Sequence, residues 1–162
     1  MKALVVTVSD RVSRGEAEDR SGPAAAAALG ELGFETGIEV IPDGVESVRK
    51  ALRAAVGAGI GLVVSTGGTG FGPRDLTPEG TAAVIDRPAP GLAEAMRAAT
   101  FGVNPHGMLS RGVAGIAGRT LIVNLPGSVK GVEESLAVIG PALRHAIDLL
   151  QGGEGSHDPA VD

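Results

Sequence analysis

The chain has 162 residues, a formal net charge of −5, no cysteine, and no aromatic residue other than three phenylalanines. The absence of cysteine excludes disulfides, thiolate metal sites and a cysteine nucleophile, and a chain without disulfides is typical of the cytoplasm, where we expect this protein. The acidic balance and the absence of Trp and Tyr disfavour nucleic-acid binding, which uses basic surfaces and aromatic stacking.

Short apolar runs alternate with longer amphipathic segments along the chain. Strands are predicted at 3–8, 35–41, 61–65 and 120–124, with weaker ones at 106–110 and 112–116. Helices are predicted at about 22–32, 45–57, 79–86, 91–100 and 129–150, the last with a break near Gly140 and Pro141. Strands that are apolar on both faces and alternate with helices indicate an α/β fold with a mostly parallel sheet covered on both sides. No run reaches the roughly 18 apolar residues that span a membrane, so no membrane partner is expected.

The length fits a single domain, which we assign to residues 1–151. Residues 152–162 are acidic and Gly-rich, and we expect them to form a disordered tail. In folds of this class, ligands lie beyond the carboxyl ends of the strands. Ser9-Asp10-Arg11 ends the first strand, and the loop that follows, up to Ser21-Gly22, is equally consistent with a ligand-contacting loop and with a merely solvated one.

Residues 65–81, STGGTGFGPRDLTPEGT, carry the strongest functional signal. Taken alone, the glycines are equally consistent with a plain tight turn and with a loop whose backbone N–H groups approach an anion, since the loop leads into a helix. The candidate anion-binding residues are Thr66, Gly67, Gly68, Thr69, Gly70 and Arg74. Asp75 follows, and a carboxylate beside a bound phosphate needs a cation between them, which favours Mg²⁺-nucleotide chemistry. Thr77 is predicted to cap the next helix, with Pro78 at its first position, so Asp75 is available as a metal ligand or general base.

Asp43 in IPDG follows the second predicted strand and is the candidate partner of Asp75. Pro-Asp-Gly is also a favoured turn sequence, and by spacing alone a turn is the better interpretation. The loop nevertheless leaves the same sheet edge as the Gly-rich loop, and two carboxylates from separate loops commonly hold Mg²⁺ together with substrate phosphates.

Two further segments end with residues suited to anion binding. Asn124-Leu125-Pro126-Gly127-Ser128 is consistent with a turn in which Ser128 caps a helix, and equally with a second anion-binding helix start that Lys130 assists. Ser110-Arg111 lies near a predicted strand end, and arginine binds phosphate well because its planar fork contacts two oxygens.

Together these motifs resemble the molybdenum cofactor biosynthesis proteins of the MogA/MoaB type, which also occur as a domain of Cnx and gephyrin. The resemblance extends from VTVSDR through IPDG, TGGTG, PRDLTPE, MLSR and NLPGS to the C-terminal helix. It implies a three-layer α/β/α sandwich that usually forms a homotrimer and binds molybdopterin. It also implies a downstream molybdenum-insertion protein as a partner.

The resemblance implies that active members adenylylate molybdopterin, whose terminal phosphate attacks the α-phosphate of Mg-ATP and releases pyrophosphate. Asp43 and Asp75 match the family's two essential acidic residues, with a catalytic and Mg²⁺-binding role, and Ser110 matches its functionally important serine. The Gly-rich loop and the turn of Pro126, Gly127 and Ser128 match its ligand-binding edges. We expect Arg111 or Lys130 to bind phosphate oxygens.

Two alternatives stay open at this stage. Some MoaB proteins are thought not to adenylylate, so the chain could be a molybdopterin-binding carrier or accessory protein without catalysis. The presence of both Asp43 and Asp75 favours an enzyme, although Gly44 stands where some adenylyltransferases have an acidic residue. A related domain that acts on another nucleotide, as in competence-damage proteins, is disfavoured because the second domain is missing.

Overall fold

The computed structural model describes residues 1–152. The strands are β1 (Lys2–Val8), β2 (Glu35–Ile41), β3 (Leu62–Thr66), β4 (Arg87–Pro88), β5 (Ala114–Ala117) and β6 (Thr120–Leu125). The helices are α1 (Asp10–Ser13), α2 (Ser21–Glu31), α3 (Val45–Gly57), α4 (Thr77–Ala82), α5 (Pro90–Ala98) and α6 (Val129–Leu150), and a 3₁₀ helix covers Pro105–Leu109. The predicted tail lies outside the described residues from 153 onward. No helix within residues 1–152 combines the length and apolarity needed to cross a membrane.

One six-stranded sheet, in the order β2-β1-β3-β6-β5-β4, forms the centre of the fold. The strands β2, β1, β3 and β6 are parallel, and β5 and β4 extend the sheet in antiparallel fashion. All residues of β3 and β6 are buried, as expected for central strands covered on both faces.

Helices cover both faces of the sheet with aliphatic side chains. On one face α2 and α6 pack over Val5, Val64 and Val123, and on the other α3 packs over Val6 and Val63. This confirms the α/β fold with three layers. It also explains why the chain needs few aromatic residues, since small side chains on the helices let them approach the sheet closely.

The structure corrects three local predictions. The segment 106–110 is not a strand: its residues up to Leu109 belong to the 3₁₀ helix, because Pro105 fixes φ at the start and the Asn104 side chain accepts a hydrogen bond from the His106 N–H. The last helix has no break, since α6 continues through Pro141. The helix predicted at 79–86 is the short α4, which ends at Ala82.

Candidate active site

The loops after β1, β2, β3 and β6 meet at one edge of the sheet because these four strands are parallel. Two cavities open there. The first, which we call the aspartate cavity, has a volume of about 460 Å³ and is lined by both Asp43 and Asp75. The second, which we call the Ser110 cavity, has a volume of about 540 Å³ and is lined by Ser110 and Lys130. Most of the sequence-predicted residues are therefore divided between two neighbouring cavities, whereas Arg74 and Arg111 line neither of them.

The Gly-rich loop contributes to both cavities. Thr66, Gly67 and Gly68 line the aspartate cavity, and Thr69 and Gly70 line the Ser110 cavity. Gly67 and Gly68 have φ angles of 93° and 64°, which side chains rarely allow. Within residues 1–152, the N–H groups of Gly68, Thr69 and Gly70 donate to no protein acceptor, so they are available to an anion.

The Thr77 hydroxyl does not cap α4, contrary to the sequence prediction. It donates to the Gly67 carbonyl at 2.9 Å, and the Thr77 N–H donates to the Gly68 carbonyl at 3.0 Å. The helix begins after Leu76 without a side-chain cap. Thr77 therefore binds the carbonyls of the Gly-rich loop and does not cap the helix. The sequence pattern is the same for both roles and could not distinguish them.

Asp43 is held by a reciprocal pair of hydrogen bonds with Asp10. The Asp10 N–H donates to the Asp43 carboxylate at 2.7 Å, and the Asp43 N–H donates to the Asp10 carboxylate at 3.1 Å. Arg74 donates from Nε and Nη2 to the Asp10 carboxylate at 3.0 and 3.1 Å and from Nη2 to the Asp43 carbonyl at 2.8 Å. Arg74 thus joins the loops after β1 and β3 to the Asp43 turn.

Asp75 closes the far side of the Gly-rich loop. Its Oδ2 accepts a hydrogen bond from the Gly72 N–H at 2.9 Å. A Cβ atom on either Gly70 or Gly72 would lie 2.8 Å from that oxygen, so a larger residue at either position would displace the Asp75 carboxylate. The hydrogen bond from Gly72 fixes one carboxylate oxygen of Asp75, which lines the aspartate cavity.

Arg111 contacts the Gly-rich loop and α4. Its Nε donates to the Gly70 carbonyl at 2.8 Å, its Nη2 donates to the Asp75 carbonyl, and Nη1 and Nη2 bind the Glu79 carboxylate. The hydrogen bonds from Arg111 hold the pKa of Glu79 below its usual range. Arg111 is therefore committed to protein acceptors, and it lines neither cavity.

The turn before α6 completes both cavities. Ser128 lines both of them, with Gly127 in the aspartate cavity and Pro126 in the Ser110 cavity. The Ser128 Oγ accepts from the Gly131 N–H at 3.1 Å, so Ser128 caps the helix as the sequence pattern favours. The N-terminus of a 22-residue helix therefore lies between the cavities, where its dipole favours an anion.

The Ser110 cavity has a largely apolar wall. Ala93, Met96, Val103 and Val138 contribute to it, and Lys130 brings a cation that pairs only loosely with Glu134, at 3.7 Å. The Lys130 side chain is 81% exposed and can therefore move to an anionic group. A partly apolar ligand with an anionic end matches these features.

The residues of the aspartate cavity fit a Mg²⁺ ion that also binds substrate. Within residues 1–152, no group of three or more acidic or histidine side chains has the geometry to hold a metal. Asp43 and Asp75 are two carboxylates on one cavity, each with one oxygen engaged by a backbone N–H. Mg²⁺ commonly uses one or two carboxylates, with water and substrate phosphate in the remaining positions.

The sequence left the loop before α2 open between a ligand-contacting and a solvated role, and it named none of that loop's residues as a site residue. Asp19, Arg20 and Ser21 line the aspartate cavity, and the Ser21 hydroxyl binds the Thr66 hydroxyl at 2.9 Å. Asp19 accepts from the Gly22 N–H at 2.9 Å. An Asp three residues before a helical run, in a loop that follows a strand at this edge, was the signal available.

We expect the Arg74→Gln variant to raise the pKa of Asp10, because the hydrogen bonds from Arg74 are the main cause of its depression. In the wild type, the ionised Asp10 carboxylate stabilises the fold at pH values above the pKa that an Asp side chain has in the unfolded chain, about 3.9. That contribution is lost as the pH falls through the lower pKa of the folded state. An NMR titration of the side-chain carboxyl carbons measures the pKa of Asp10 in both proteins.

The matched control for this titration is Arg49→Gln. It breaks a similar two-bond pair with Glu46 on α3, at 2.9 and 2.6 Å, and should leave the Asp10 midpoint where it is. If Arg74→Gln also left it unchanged, the pair between Asp10 and Arg74 would not exist in solution.

Comparison with known proteins gives one consistent family. The chain matches the model described as a probable molybdopterin binding domain over residues 4–145. It is 39% identical over 152 residues to a molybdopterin adenylyltransferase of Helicobacter pylori. That alignment covers 91% of this chain and 86% of the Helicobacter protein. It is 40% identical over 166 residues to gephyrin of Dictyostelium discoideum, covering 96% of this chain but 23% of gephyrin. The chain spans less than half the length of gephyrin and of two other curated relatives.

The solved structures agree. A molybdopterin biosynthesis enzyme, MoaB, from Thermus thermophilus superposes with a TM-score of 0.89 at 44% identity, over 96% of this chain and 99% of that one. The resemblance to the MogA/MoaB type is thereby confirmed. The chain belongs to the family of probable molybdopterin binding domains.

Proposed function

We propose that this protein acts in molybdenum cofactor biosynthesis as a nucleotidyltransferase that adenylylates molybdopterin with Mg-ATP in the cytoplasm. The observation that carries the proposal is the pair Asp43 and Asp75 on one cavity beside an anion-accepting glycine loop. The adjoining Ser110 cavity, partly apolar and with the exposed ammonium of Lys130, suits the pterin. The relatives named molybdopterin adenylyltransferase support the same reaction.

In the proposed reaction, an oxygen of the molybdopterin terminal phosphate attacks the α-phosphorus of ATP. The bond between that phosphorus and the bridging oxygen to the β-phosphate breaks, and pyrophosphate leaves. The attacking phosphate is already anionic near neutral pH, so no strong general base is needed. Catalysis then consists mainly of positioning and charge stabilisation.

The shared elements of the two cavities are where the substrates would meet. Ser128 and the Gly-rich loop contribute to both cavities. Their backbone N–H groups and the α6 N-terminus would bind phosphate oxygens, while Lys130 would approach the pterin phosphate. Ser110, on the wall of the second cavity, would hydrogen-bond the bound molybdopterin.

Asp43 and Asp75 are the residues that would hold Mg²⁺, which would supply charge neutralisation at the ATP phosphates. The chain's own part is to orient these two carboxylates. Asp10 and Arg74 fix Asp43, and the Gly72 N–H fixes Asp75. The resemblance further leads us to propose a homotrimer and a molybdenum-insertion protein that receives the product.

Incubation of the purified protein with molybdopterin, Mg²⁺ and ATP tests the proposal. We expect pyrophosphate and adenylyl-molybdopterin in equal amounts, and none when molybdopterin is omitted. Tight molybdopterin binding without any ATP-dependent product would contradict the enzyme and identify a carrier.

A further inference from the structure

Arg111 lies in different surroundings from those that its sequence motif predicts. The motif predicts a phosphate ligand, but the guanidinium lies outside both cavities. Arginine has five N–H donors, and four hydrogen bonds join this one to the Gly70 carbonyl, the Asp75 carbonyl and both oxygens of Glu79. A guanidinium with this many protein acceptors has little capacity left for a substrate oxygen.

The bonds from Arg111 enclose the part of the loop that carries Asp75. Its backbone N–H donates to the Thr69 carbonyl at 2.9 Å, and its side chain reaches the carbonyls of Gly70 and Asp75. Both ends of the turn from Gly70 to Asp75 are therefore attached to one residue. The turn has its own hydrogen bond from the Gly72 N–H to Asp75 and an attachment to Asp10 through Arg74, and Arg111 adds the attachment on the side of Ser110.

The segment that carries Arg111 is itself anchored to the sheet. Val113 accepts from the Asn124 N–H at 2.9 Å and donates to the Asn124 side-chain oxygen at 3.2 Å. Asn124 is buried and also binds Ser65 and Thr81. Through Arg111, the Asp75 turn is therefore held in a fixed position relative to the sheet. Its neighbour Ser110 lines the other cavity, so the same segment sets Ser110 relative to Asp75.

We propose that Arg111, braced by Glu79, is a positioning residue that fixes the Asp75 turn relative to Ser110 for the transfer step, and that it binds no substrate phosphate. The inference rests on the proposed function for its kinetic part. Glu79, in the first turn of α4, aligns the guanidinium so that its remaining donors meet the two loop carbonyls. Lysine cannot replace it, because one ammonium cannot reach three separated acceptors in a fixed plane.

The kinetic test compares Glu79→Gln, Arg111→Lys, Arg111→Gln and the double variant Glu79→Gln/Arg111→Gln. For a positioning role, we expect Glu79→Gln and Arg111→Lys to lower kcat about tenfold, with the KM for ATP changed by less than about twofold. The double variant should be no slower than Arg111→Gln alone, since both residues act through one contact. Glu46→Gln, which breaks an exposed glutamate–arginine pair on α3, should leave kcat unchanged.

A direct phosphate contact gives the opposite pattern. Arg111→Gln would then raise the KM for ATP about tenfold or more, and Glu79→Gln, by releasing the guanidinium, would leave kcat intact. That result would overturn the proposal.

A second measurement does not depend on activity. Amide hydrogen exchange of Gly72, Asp75 and Leu76, whose N–H groups are hydrogen-bonded within the turn, should quicken in Glu79→Gln and Arg111→Gln but not in Glu46→Gln, while exchange in β3 and β6 stays slow. If the wild-type protein makes no pyrophosphate while loop exchange is faster in both variants, adenylylation is refuted, but Arg111 still fixes the Asp75 turn. Unchanged loop exchange in both variants would refute the positioning role.

Discussion

Replacing Asp75 with Asn is expected to slow adenylylation about 100-fold or more while leaving the fold intact. The amide oxygen of Asn can still accept the hydrogen bond that the Gly72 N–H donates at 2.9 Å, so the turn should keep its shape. What disappears is one negative charge on the cavity that also contains Asp43. A metal held by two carboxylates and the ATP phosphates would lose one of its protein ligands.

The measurement is the initial rate of pyrophosphate release at several Mg²⁺ concentrations. In the variant the rate should rise further with Mg²⁺ than in the wild type, because the metal binds more weakly. Molybdopterin binding, measured by its fluorescence, should be nearly unchanged, since the Ser110 cavity does not include Asp75.

Asp86→Asn is the matched control for Asp75→Asn. Asp86 also accepts one backbone hydrogen bond in an exposed turn, from the Gly118 N–H at 2.8 Å, and it lines neither cavity. It should keep the wild-type rate. Wild-type activity in Asp75→Asn would remove Asp75 from the mechanism, and an equal loss in Asp86→Asn would point to a general effect on the fold.

The parallel core of the fold was predictable because its strands are apolar on both faces. β1, β2, β3 and β6 lie within one residue of their predicted bounds. The region 87–117 was not predictable to the same degree, because β4 and β5 are short and a proline-led 3₁₀ helix stands between α5 and β5. In such segments tertiary contacts decide between strand and turn.

The sequence could predict which sheet edge carries the candidate residues, but it could not predict which partners their side chains bind. Motif position placed Asp43 and Asp75 at one edge, and the structure brings them to one cavity. The sequence could not show that Arg74 would turn to Asp10, since they lie 64 positions apart in the chain. Long-range side-chain pairs of this kind depend on the register between loops, which no local pattern specifies.

Gly67→Ala is expected to be the most damaging of the conservative substitutions in the Gly-rich loop. Gly67 has a φ of 93°, and a Cβ atom there would lie 2.5 Å from the Val8 carbonyl oxygen. Neither feature can relax easily, because the obstacle is the backbone at the end of β1. The conformational cost of about 1–2 kcal/mol and an overpacking cost of about 1–3 kcal/mol together suggest a loss of roughly 3 kcal/mol.

Chemical denaturation of three glycine-to-alanine variants tests this reasoning, because the change in composition is the same in each. Gly30→Ala, inside α2 with nothing within 4 Å, should be neutral or stabilise by up to about 1 kcal/mol. Gly127→Ala, whose Cβ would lie 3.2 Å from the Gly67 Cα, should fall between the other two. The midpoints should therefore decrease in the order Gly30, Gly127, Gly67. A Gly67→Ala protein as stable as Gly30→Ala would mean that the ends of β1 and β3 are not in close contact.

Where Gly67→Ala folds, it should also bind ATP more weakly, since separating those ends moves the Asp43 turn away from the glycine loop.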